Sequence, residues 1–278
     1  MGLLMLMLML MVAVTTTSGG RISVVSGQPL VSVGVGLSGV WGVDESDRIF
    51  YRNGTYGTTG IEGNKWILVQ GALVQADVGQ NIVWGVNRQH NIYIRRGITP
   101  QNPIGSSWQQ IPGGLMHVSV SPGGHVWGVN VNNDIYVRVG ASNNNPAGSS
   151  WKRINGKLKQ VSAGTVGAWG VNHLNDVYYR HKTYGDYDPE GDYWIRIPER
   201  KMIYVSSAFG NVLALSEDGR IYVRRGMSFA KPTGTFWQPI KRRQRGLRTI
   251  DSLHGDFWAT KNTNEGFKVL HGYLTRRC

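Results

Sequence analysis

Two polar residue types recur along this chain of 278 residues at fixed places in a repeated motif. An Asn follows a Trp-Gly-Val triplet, and an Arg ends the apolar run that comes next. Asn offers both a donor and an acceptor, and Arg offers a fork of donors beside aromatic faces, which suits the hydroxyl groups of sugars. The candidate carbohydrate-binding residues are Asn87, Asn130, Asn172, Arg52, Arg95, Arg138, Arg180 and Arg224. The structural alternative is that the Asn caps a hairpin turn and the Arg pairs with a neighbouring repeat.

A second kind of chemistry is indicated by the densest basic segment, residues 241–248. Guanidinium groups bind phosphate and carboxylate with two parallel hydrogen bonds, so the segment predicts an anionic ligand such as an acidic glycan or a lipid phosphate. Its cations are Lys241, Arg242, Arg243, Arg245 and Arg248. The net charge of +13 agrees with an acidic partner, although an exposed charged loop is the alternative.

One acidic segment interrupts the basic chain. Asp186, Asp188 and Glu190 alternate before Gly191, which imitates the first half of a calcium-binding loop. The twelfth position of such a loop would be Ile197, which cannot ligate a metal. A solvated loop is therefore favoured, calcium is kept as the alternative, and no other cofactor is predicted.

Catalytic chemistry is not indicated by any motif. The seven histidines lack the spacing of metal ligands on a helix, and the chain has no nucleophile elbow or phosphate-binding loop. The carboxylates are few and scattered, which argues against paired acid and base catalysis. We therefore predict no enzyme and no catalytic residue, with residues brought together between repeats as the remaining alternative.

The chain termini carry three further signals. Residues 1–14 are apolar but too few to span a bilayer, and small polar residues follow, so residues 1–20 predict a secretory signal peptide, with an uncleaved anchor as the alternative. A secreted, extracellular protein without a transmembrane anchor is expected, which argues against a nucleic-acid partner. The single cysteine, Cys278, would link two copies as a homodimer or remain a free thiol. Asn53 begins the one N-glycosylation sequence, with Gly54 and Thr55.

The elements that must position these residues follow from the repeat. Its central position falls at residues 41, 84, 127, 169, 213 and 258, so the period is 42 to 45 residues. Each unit contains four short runs separated by Pro, Gly and Asn turns, which is typical of one four-stranded propeller blade. Residues 21–27 align with residues 65–71, so the N-terminal strand should complete the last blade. We predict an all-β protein with one domain, residues 21–278, folded as a six-bladed β-propeller whose tryptophans pack between blades.

The motif resembles the tectonin repeat. The resemblance rests on Trp-Gly-Val-Asn, then Asp/Asn-x-Ile-Tyr-x-Arg, then Asn-Pro-x-Gly-x-Ser-Trp, and it covers about residues 21–278. This repeat occurs in the fish-egg lectins and in the tachylectin and tectonin lectins. The resemblance implies a lectin without catalytic activity that binds N-acetylglucosamine-type sugars, microbial glycans, lipopolysaccharide or peptidoglycan in innate immune defence. Repeat five has Leu213-Ala214-Leu215-Ser216 at the motif and repeat six has Trp258-Ala259-Thr260, so sites are expected in the first four repeats.

The functional prediction is therefore a secreted lectin with several weak sites. Repeating a weak site around a ring gives strong binding to a polyvalent surface through effective concentration. The alternative is a propeller without catalytic activity that binds a host protein through its loops.

Overall fold

The computed structural model describes residues 22–240 and 244–274. In these residues the chain forms six four-stranded antiparallel sheets and no helix, so none that could cross a membrane. Each sheet is one blade of a ring around a central channel. The predicted all-β, six-bladed propeller is confirmed. The proposed signal peptide at residues 1–20, the cations at 241–243 and Cys278 lie outside the described residues.

The strands are short, and their order follows the chain in every blade except blade 6, where β1 lies beside β24. They are β1 (Ile22–Val25), β2 (Ser32–Gly36), β3 (Gly39–Val43), β4 (Arg48–Arg52), β5 (Trp66–Ala72), β6 (Gln75–Val78), β7 (Val83–Val86), β8 (Ile92–Arg96), β9 (Ser107–Ile111), β10 (His117–Val120), β11 (Val126–Val129), β12 (Asp134–Arg138), β13 (Trp151–Lys157), β14 (Gln160–Gly164), β15 (Gly167–Val171), β16 (Val177–Arg180), β17 (Trp194–Ile197), β18 (Tyr204–Ser207), β19 (Val212–Leu215), β20 (Ile221–Arg225), β21 (Phe236–Pro239), β22 (Leu247–Leu253), β23 (Asp256–Thr263) and β24 (Gly266–Tyr273). Blades 1 to 5 are β2–β5, β6–β9, β10–β13, β14–β17 and β18–β21, and blade 6 is β22–β24 with β1.

The Trp-Gly-Val triplet forms the second strand of a blade, which is buried on both faces. Trp127 is 1% exposed in blade 3. A Cβ atom on Gly128 would lie 2.4 Å from the Cδ1 atom of Leu115, so only glycine leaves room for that leucine. The triplet is therefore a packing motif. Its glycine leaves space, beside the buried tryptophan, for a leucine from the loop that connects two blades.

Tryptophans join neighbouring blades in five places. The central tryptophan of one blade meets the outer-strand tryptophan of the next edge to face, with ring centroids 5.8–6.5 Å apart. The pairs are Trp41–Trp108, Trp84–Trp151, Trp127–Trp194, Trp169–Trp237 and Trp258–Trp66. Such contacts contribute about 0.5–1.5 kcal/mol each beyond the burial of their area.

Blade 6 takes its outer strand from the start of the domain. The strand β1 pairs antiparallel with β24, with Ile22 opposite Gly272 and Val25 opposite Val269. This register confirms the predicted closure, in which each end of the chain supplies strands to the same sheet.

The innermost strands carry a ring of six residues that lie opposite the central position of each blade. They are Gly34, Asp77, Ser119, Ser162, Ser206 and Asp251. Four of them accept a backbone N–H of the next blade at 2.6–3.0 Å. Ser206 donates instead to the Asp251 carboxylate at 2.8 Å. At Gly34 a Cβ atom would lie 2.6 Å from the carbonyl oxygen of Ala76, so the two backbones touch directly.

The expectation of scattered carboxylates is wrong for Asp77 and Asp251. Both line the channel cavity, where each is partly exposed, and their carboxyl groups lie close enough to interact. Burial raises the pKa of Asp77 to about 6. Burial and the nearby Asp77 charge raise the pKa of Asp251 well above its usual value. Two carboxylates in contact share a proton at neutral pH, since both cannot ionise together.

The carboxyl pair joins blades at a cavity of only about 20 Å³, which has room for about one water molecule. Asp77 accepts the N–H of Val120 at 2.7 Å, and Asp251 accepts that of Val35 at 2.6 Å. These contacts link blade 2 to blade 3 and blade 6 to blade 1. The geometry therefore gives the pair a structural role in holding the ring.

The Asp77→Asn variant should test this pair through the pH dependence of stability. The folded-state pKa of Asp77 lies above its unfolded value of about 3.9, so wild-type stability falls as pH rises from about 4 through 6. We expect the variant to be more stable than the wild type at pH 8 by about 1–3 kcal/mol, and the difference to shrink toward pH 4. Denaturant unfolding at several pH values measures it.

The difference between variant and wild type cancels the titrations that are not coupled to Asp77, while Asp251 titrates together with Asp77 and belongs to the measured effect. Burial lowers the pKa of His117 to about 4, which acts in the opposite direction but equally in both proteins. Asp192→Asn is a matched control, because Lys182 lowers the pKa of that exposed carboxylate and the difference should have the opposite sign. A stability difference for Asp77→Asn that stays flat from pH 4 to pH 8 would show that no shared proton exists.

Candidate functional site

Two homologous grooves lie between blades and contain the repeated Asn. The first groove, between blades 1 and 2, has a volume of about 240 Å³, and the second groove, between blades 3 and 4, one of about 270 Å³. The later blade supplies Asn87, Tyr93 and Trp108 to the first groove and Asn172, Tyr178 and Trp194 to the second. The earlier blade supplies an apolar floor, formed by Ile49 and Leu73 in the first groove and by Ile135 and Leu158 in the second.

The groove tryptophans are fixed in place by the earlier blade. The indole N–H of Trp108 donates to the carbonyl oxygen of Gln70 at 2.8 Å, and that of Trp194 donates to Asn155 at 3.0 Å. The next residue is Gly71 or Gly156, with φ of 125° or 116°. A Cβ atom on Gly71 would lie 2.8 Å from the Trp108 nitrogen, so glycine is required there. The half-buried rings therefore meet the groove in a fixed orientation.

The Asn side chains cap their turns, which is the structural alternative, and a role of these asparagines in carbohydrate binding stays a prediction. In Asn87 the side-chain oxygen accepts the N–H groups of Gln89 and Asn91, at 3.1 and 2.8 Å. Asn130 and Asn172 cap their own turns in the same way. The oxygen of each Asn is thus used by the turn, which holds the amide nitrogen as a donor. In the second groove this nitrogen lies 3.5 Å from the hydroxyl oxygen of Tyr178.

The five repeated arginines are buried within their blades, each 2–7% exposed. Each Nε donates to a backbone carbonyl oxygen in the following loop at 2.7–2.8 Å. Each guanidinium lies 5.1–5.4 Å from the ring centroid of an outer-strand tryptophan. The residues are Arg52, Arg95, Arg138, Arg180 and Arg224, over Trp66, Trp108, Trp151, Trp194 and Trp237. The contacts that the structure shows are structural, and a role of these arginines in carbohydrate binding stays a prediction.

The described part of the basic segment does not form a cluster of free guanidinium groups. Arg245 is exposed and lines a shallow depression with Lys261 and Glu265. The Arg248 guanidinium lies over the ring of Phe267 at 5.8 Å. Binding of an anionic ligand by this segment stays a prediction.

The three acids proposed for calcium have separate partners. Asp186 binds His125 at 2.8 Å and accepts the N–H of Gly123 at 2.7 Å. Asp188 accepts two backbone N–H groups of its own loop, and Glu190 pairs with Lys152 at 2.5 Å. In residues 22–240 and 244–274, no group of three or more His, Cys, Asp and Glu side chains could hold a metal ion. The geometry does not support the calcium alternative.

The threonine of the glycosylation sequence also has a structural role. The hydroxyl of Thr55 donates to the carbonyl oxygen of Arg52 at 2.7 Å and accepts the N–H of Val40 at 2.9 Å. Asn53 is partly exposed and donates to Asn64 at 3.0 Å. Glycosylation at Asn53 stays a prediction.

The Arg138→Ala variant should destabilise the propeller by about 2–3 kcal/mol, because it removes a charge-assisted hydrogen bond and a buried cation–π contact. Arg138→Lys should lose an intermediate amount of stability, since lysine lacks the planar guanidinium group. Arg153→Ala is the matched control on the same blade, at an exposed ion pair with Asp134, and should change stability by less than about 0.5 kcal/mol. Denaturant unfolding measures all three. Equal effects of Arg138→Ala and Arg153→Ala would contradict a structural role for the buried set.

Solved structures share the fold at low sequence identity. Human WBSCR16 matches with a TM-score of 0.51 and 12% identity over 86% of this chain and 70% of that chain. The Myceliophteria thermophila Cps50 (Swd1) propeller matches with a TM-score of 0.54 and 8% identity over 90% of this chain and 85% of that chain. YCF48 bound to D1 peptide matches with a TM-score of 0.52 and 13% identity over 89% of this chain and 79% of that chain. These similarities concern the fold alone.

The sequence comparisons are more specific. No curated protein matches the chain. Two overlapping segments, residues 15–115 and 107–262, match the Tectonin domain. They cover most of the chain and include the tryptophan, glycine and asparagine positions that build both grooves. The chain therefore belongs to the tectonin family.

Proposed function

We propose that this tectonin propeller is a secreted, multivalent carbohydrate-binding protein whose sugar sites are the grooves between blades. Its ligands are N-acetylglucosamine-type sugars of microbial surfaces, presented by lipopolysaccharide or peptidoglycan, and its role is innate immune defence. The observation that carries the proposal is the recurrence of one set, a fixed tryptophan, a tyrosine and a turn-capping asparagine, around two separate grooves.

The chemistry of each groove suits one sugar ring. The aromatic side chains offer apolar surface to a pyranose face, and the amide and phenol groups offer hydrogen bonds to hydroxyl groups. The apolar floor suits the methyl group of an N-acetyl substituent. Volumes of about 240 and 270 Å³ lie just below the range typical of drug-sized ligands, roughly 300–1,000 Å³, and so favour a monosaccharide unit.

The spacing of the grooves supports binding to surfaces. The two grooves are two blade boundaries apart, a third of the way around the ring. One sugar unit in a shallow groove binds weakly, but two grooves on a rigid ring raise the effective concentration of the second contact on a repetitive surface. A polyvalent glycan is therefore a better ligand than its free monosaccharide.

Removing a groove tyrosine should remove one binding site. In Tyr93→Ala and Tyr178→Ala we expect titration calorimetry with N-acetylglucosamine oligomers to show one site fewer each. Binding to immobilised lipopolysaccharide should fall at least tenfold because avidity is lost. Tyr187→Ala is the control, since this tyrosine is 86% exposed and does not line either groove.

Two results would redirect the proposal. Sugar binding unchanged in both variants would keep the lectin but move its sites, with the basic segment at 241–248 next to be tested. No binding to any glycan would favour the alternative of a protein-interaction propeller. In that case the exposed Phe229 and the partly buried Tyr184, with ring centroids 6.3 Å apart, would be the first surface to examine.

A further inference from the structure

The two grooves differ in one residue of the wall that the earlier blade supplies. The second groove has Lys157 where the first has Ala72. The two positions are equivalent, because Ala72 pairs with Arg48 and Lys157 pairs with Asp134 at the same place in their strands. Both side chains are exposed, so this difference concerns ligand contact more than packing.

The charges beside the first groove are balanced. Arg88 forms two hydrogen bonds with Asp47, at 3.0 and 2.6 Å, and Arg48 pairs with Asp44 at 2.6 Å. Each cation has its own carboxylate. The first groove therefore presents no net charge from these pairs.

The charges beside the second groove are not balanced. In blade 3 the Asp134 carboxylate is shared by Arg153 and Lys157, at 2.6 and 2.7 Å. These two cations hold the pKa of Asp134 at about 2, so the carboxylate stays ionised and one positive charge is left over.

Blade 4 has the same excess of one positive charge. Arg196 and Lys201 both pair with Asp176 at 2.7 Å. Asp176 donates its backbone N–H to Asn172, and Arg196 lies opposite Tyr178 in the sheet, so this ion cluster adjoins the second groove. At the first groove the residue opposite Tyr93 is the neutral Gln110.

Lys157 also keeps a hydrogen-bond donor. An ammonium group carries three N–H donors. In the described residues two acceptors lie near the Lys157 nitrogen, the carbonyl oxygen of Asn132 at 2.9 Å and Asp134 at 2.7 Å. The exposed rim residue His173 lies on the opposite wall, next to Asn172. A donor and an excess of positive charge thus meet at one groove and not at the other.

We infer that the second groove binds a sugar ring carrying an anionic substituent, a carboxylate or a sulfate, and that the first groove binds a neutral one. The inference rests on the proposed function and names the ligand class of each groove. Contact with one exposed cation gives a preference of about two- to fivefold in Kd. The preference weakens as salt is added, because ionic screening shortens the reach of exposed charges to about 10 Å at 0.1 M.

The test follows the indole N–H signals of Trp108 and Trp194 in nitrogen-15 NMR spectra, since each tryptophan reports one groove. The probes are two matched pairs, glucose with glucuronic acid and N-acetylglucosamine with its 6-sulfate, which separate a carboxylate from a sulfate source. We expect the acidic sugar of at least one pair to bind about two- to fivefold more tightly at Trp194, and the neutral sugars to bind equally or better at Trp108.

The chain supplies a reciprocal pair of variants. Lys157→Ala gives the second groove the residue of the first, and Ala72→Lys does the reverse. The first should weaken the preference for acidic sugars at Trp194 while neutral binding remains, because only the excess charge of blade 4 is left there. The second should create that preference at Trp108. Lys268→Ala, at an exposed ion pair in blade 6, is the control for a change in total charge and should leave both grooves unchanged.

The outcomes separate this inference from the proposed function. Equal affinity of acidic and neutral sugars at both tryptophans overturns the charge selectivity and leaves the lectin standing. Loss of neutral-sugar binding in Lys157→Ala also overturns it, because the lysine would then be a general ligand. No shift of either indole signal with any probe overturns the proposed groove sites as well.

Discussion

The contact of one tryptophan edge with the face of another sets the spacing at five of the six blade boundaries. The central tryptophan of a blade is fully buried, and the outer tryptophan of the next blade meets it at 73–80°. A buried arginine also packs against the indole of the outer tryptophan, as Arg138 does against Trp151. A groove between blades is the surface that remains beside this contact. The grooves therefore depend on the same interaction that builds the core, and a ligand there meets a rigid aromatic wall.

This dependence also explains why the boundaries are not equivalent. At the boundary of blades 4 and 5, Tyr222 occupies the tyrosine position but is 3% exposed, and the Arg200 guanidinium lies 4.7 Å from the centre of its ring. At the boundary of blades 6 and 1, Asp44 replaces the asparagine and pairs with Gln28 at 3.1 Å. The protein's own side chains cover these two positions. Differences between the repeats, here in blades 1 and 5, thus change the surface chemistry while the blade itself persists.

The repeat was sufficient to predict the architecture, because four blades carry the same Trp-Gly-Val strand and the strand and turn pattern recurs at the same period in the other two. The strand that closes blade 6 was predictable for the same reason, since Ile22 aligns with Trp66. The role of the arginines was not predictable, because an Arg at a strand end has the same pattern whether it faces solvent or turns behind a tryptophan. Asp77 and Asp251 were missed although a signal existed. Both occupy the position opposite the central tryptophan of their repeat, and superposing the repeats around a ring would have placed them in one layer.

The closure of blade 6 has a consequence for how the chain is made. The strand β1 is among the first parts of the domain to leave the ribosome, and its partner β24 is among the last. Until β24 emerges, β1 has no partner strand, and the incomplete blade 6 presents unpaired strand edges to other chains. A pairing that spans almost the whole domain also has a high contact order, so ring closure should be the late and slow step of folding. The interval between the synthesis of β1 and that of β24 is therefore when the nascent protein depends most on protection from aggregation.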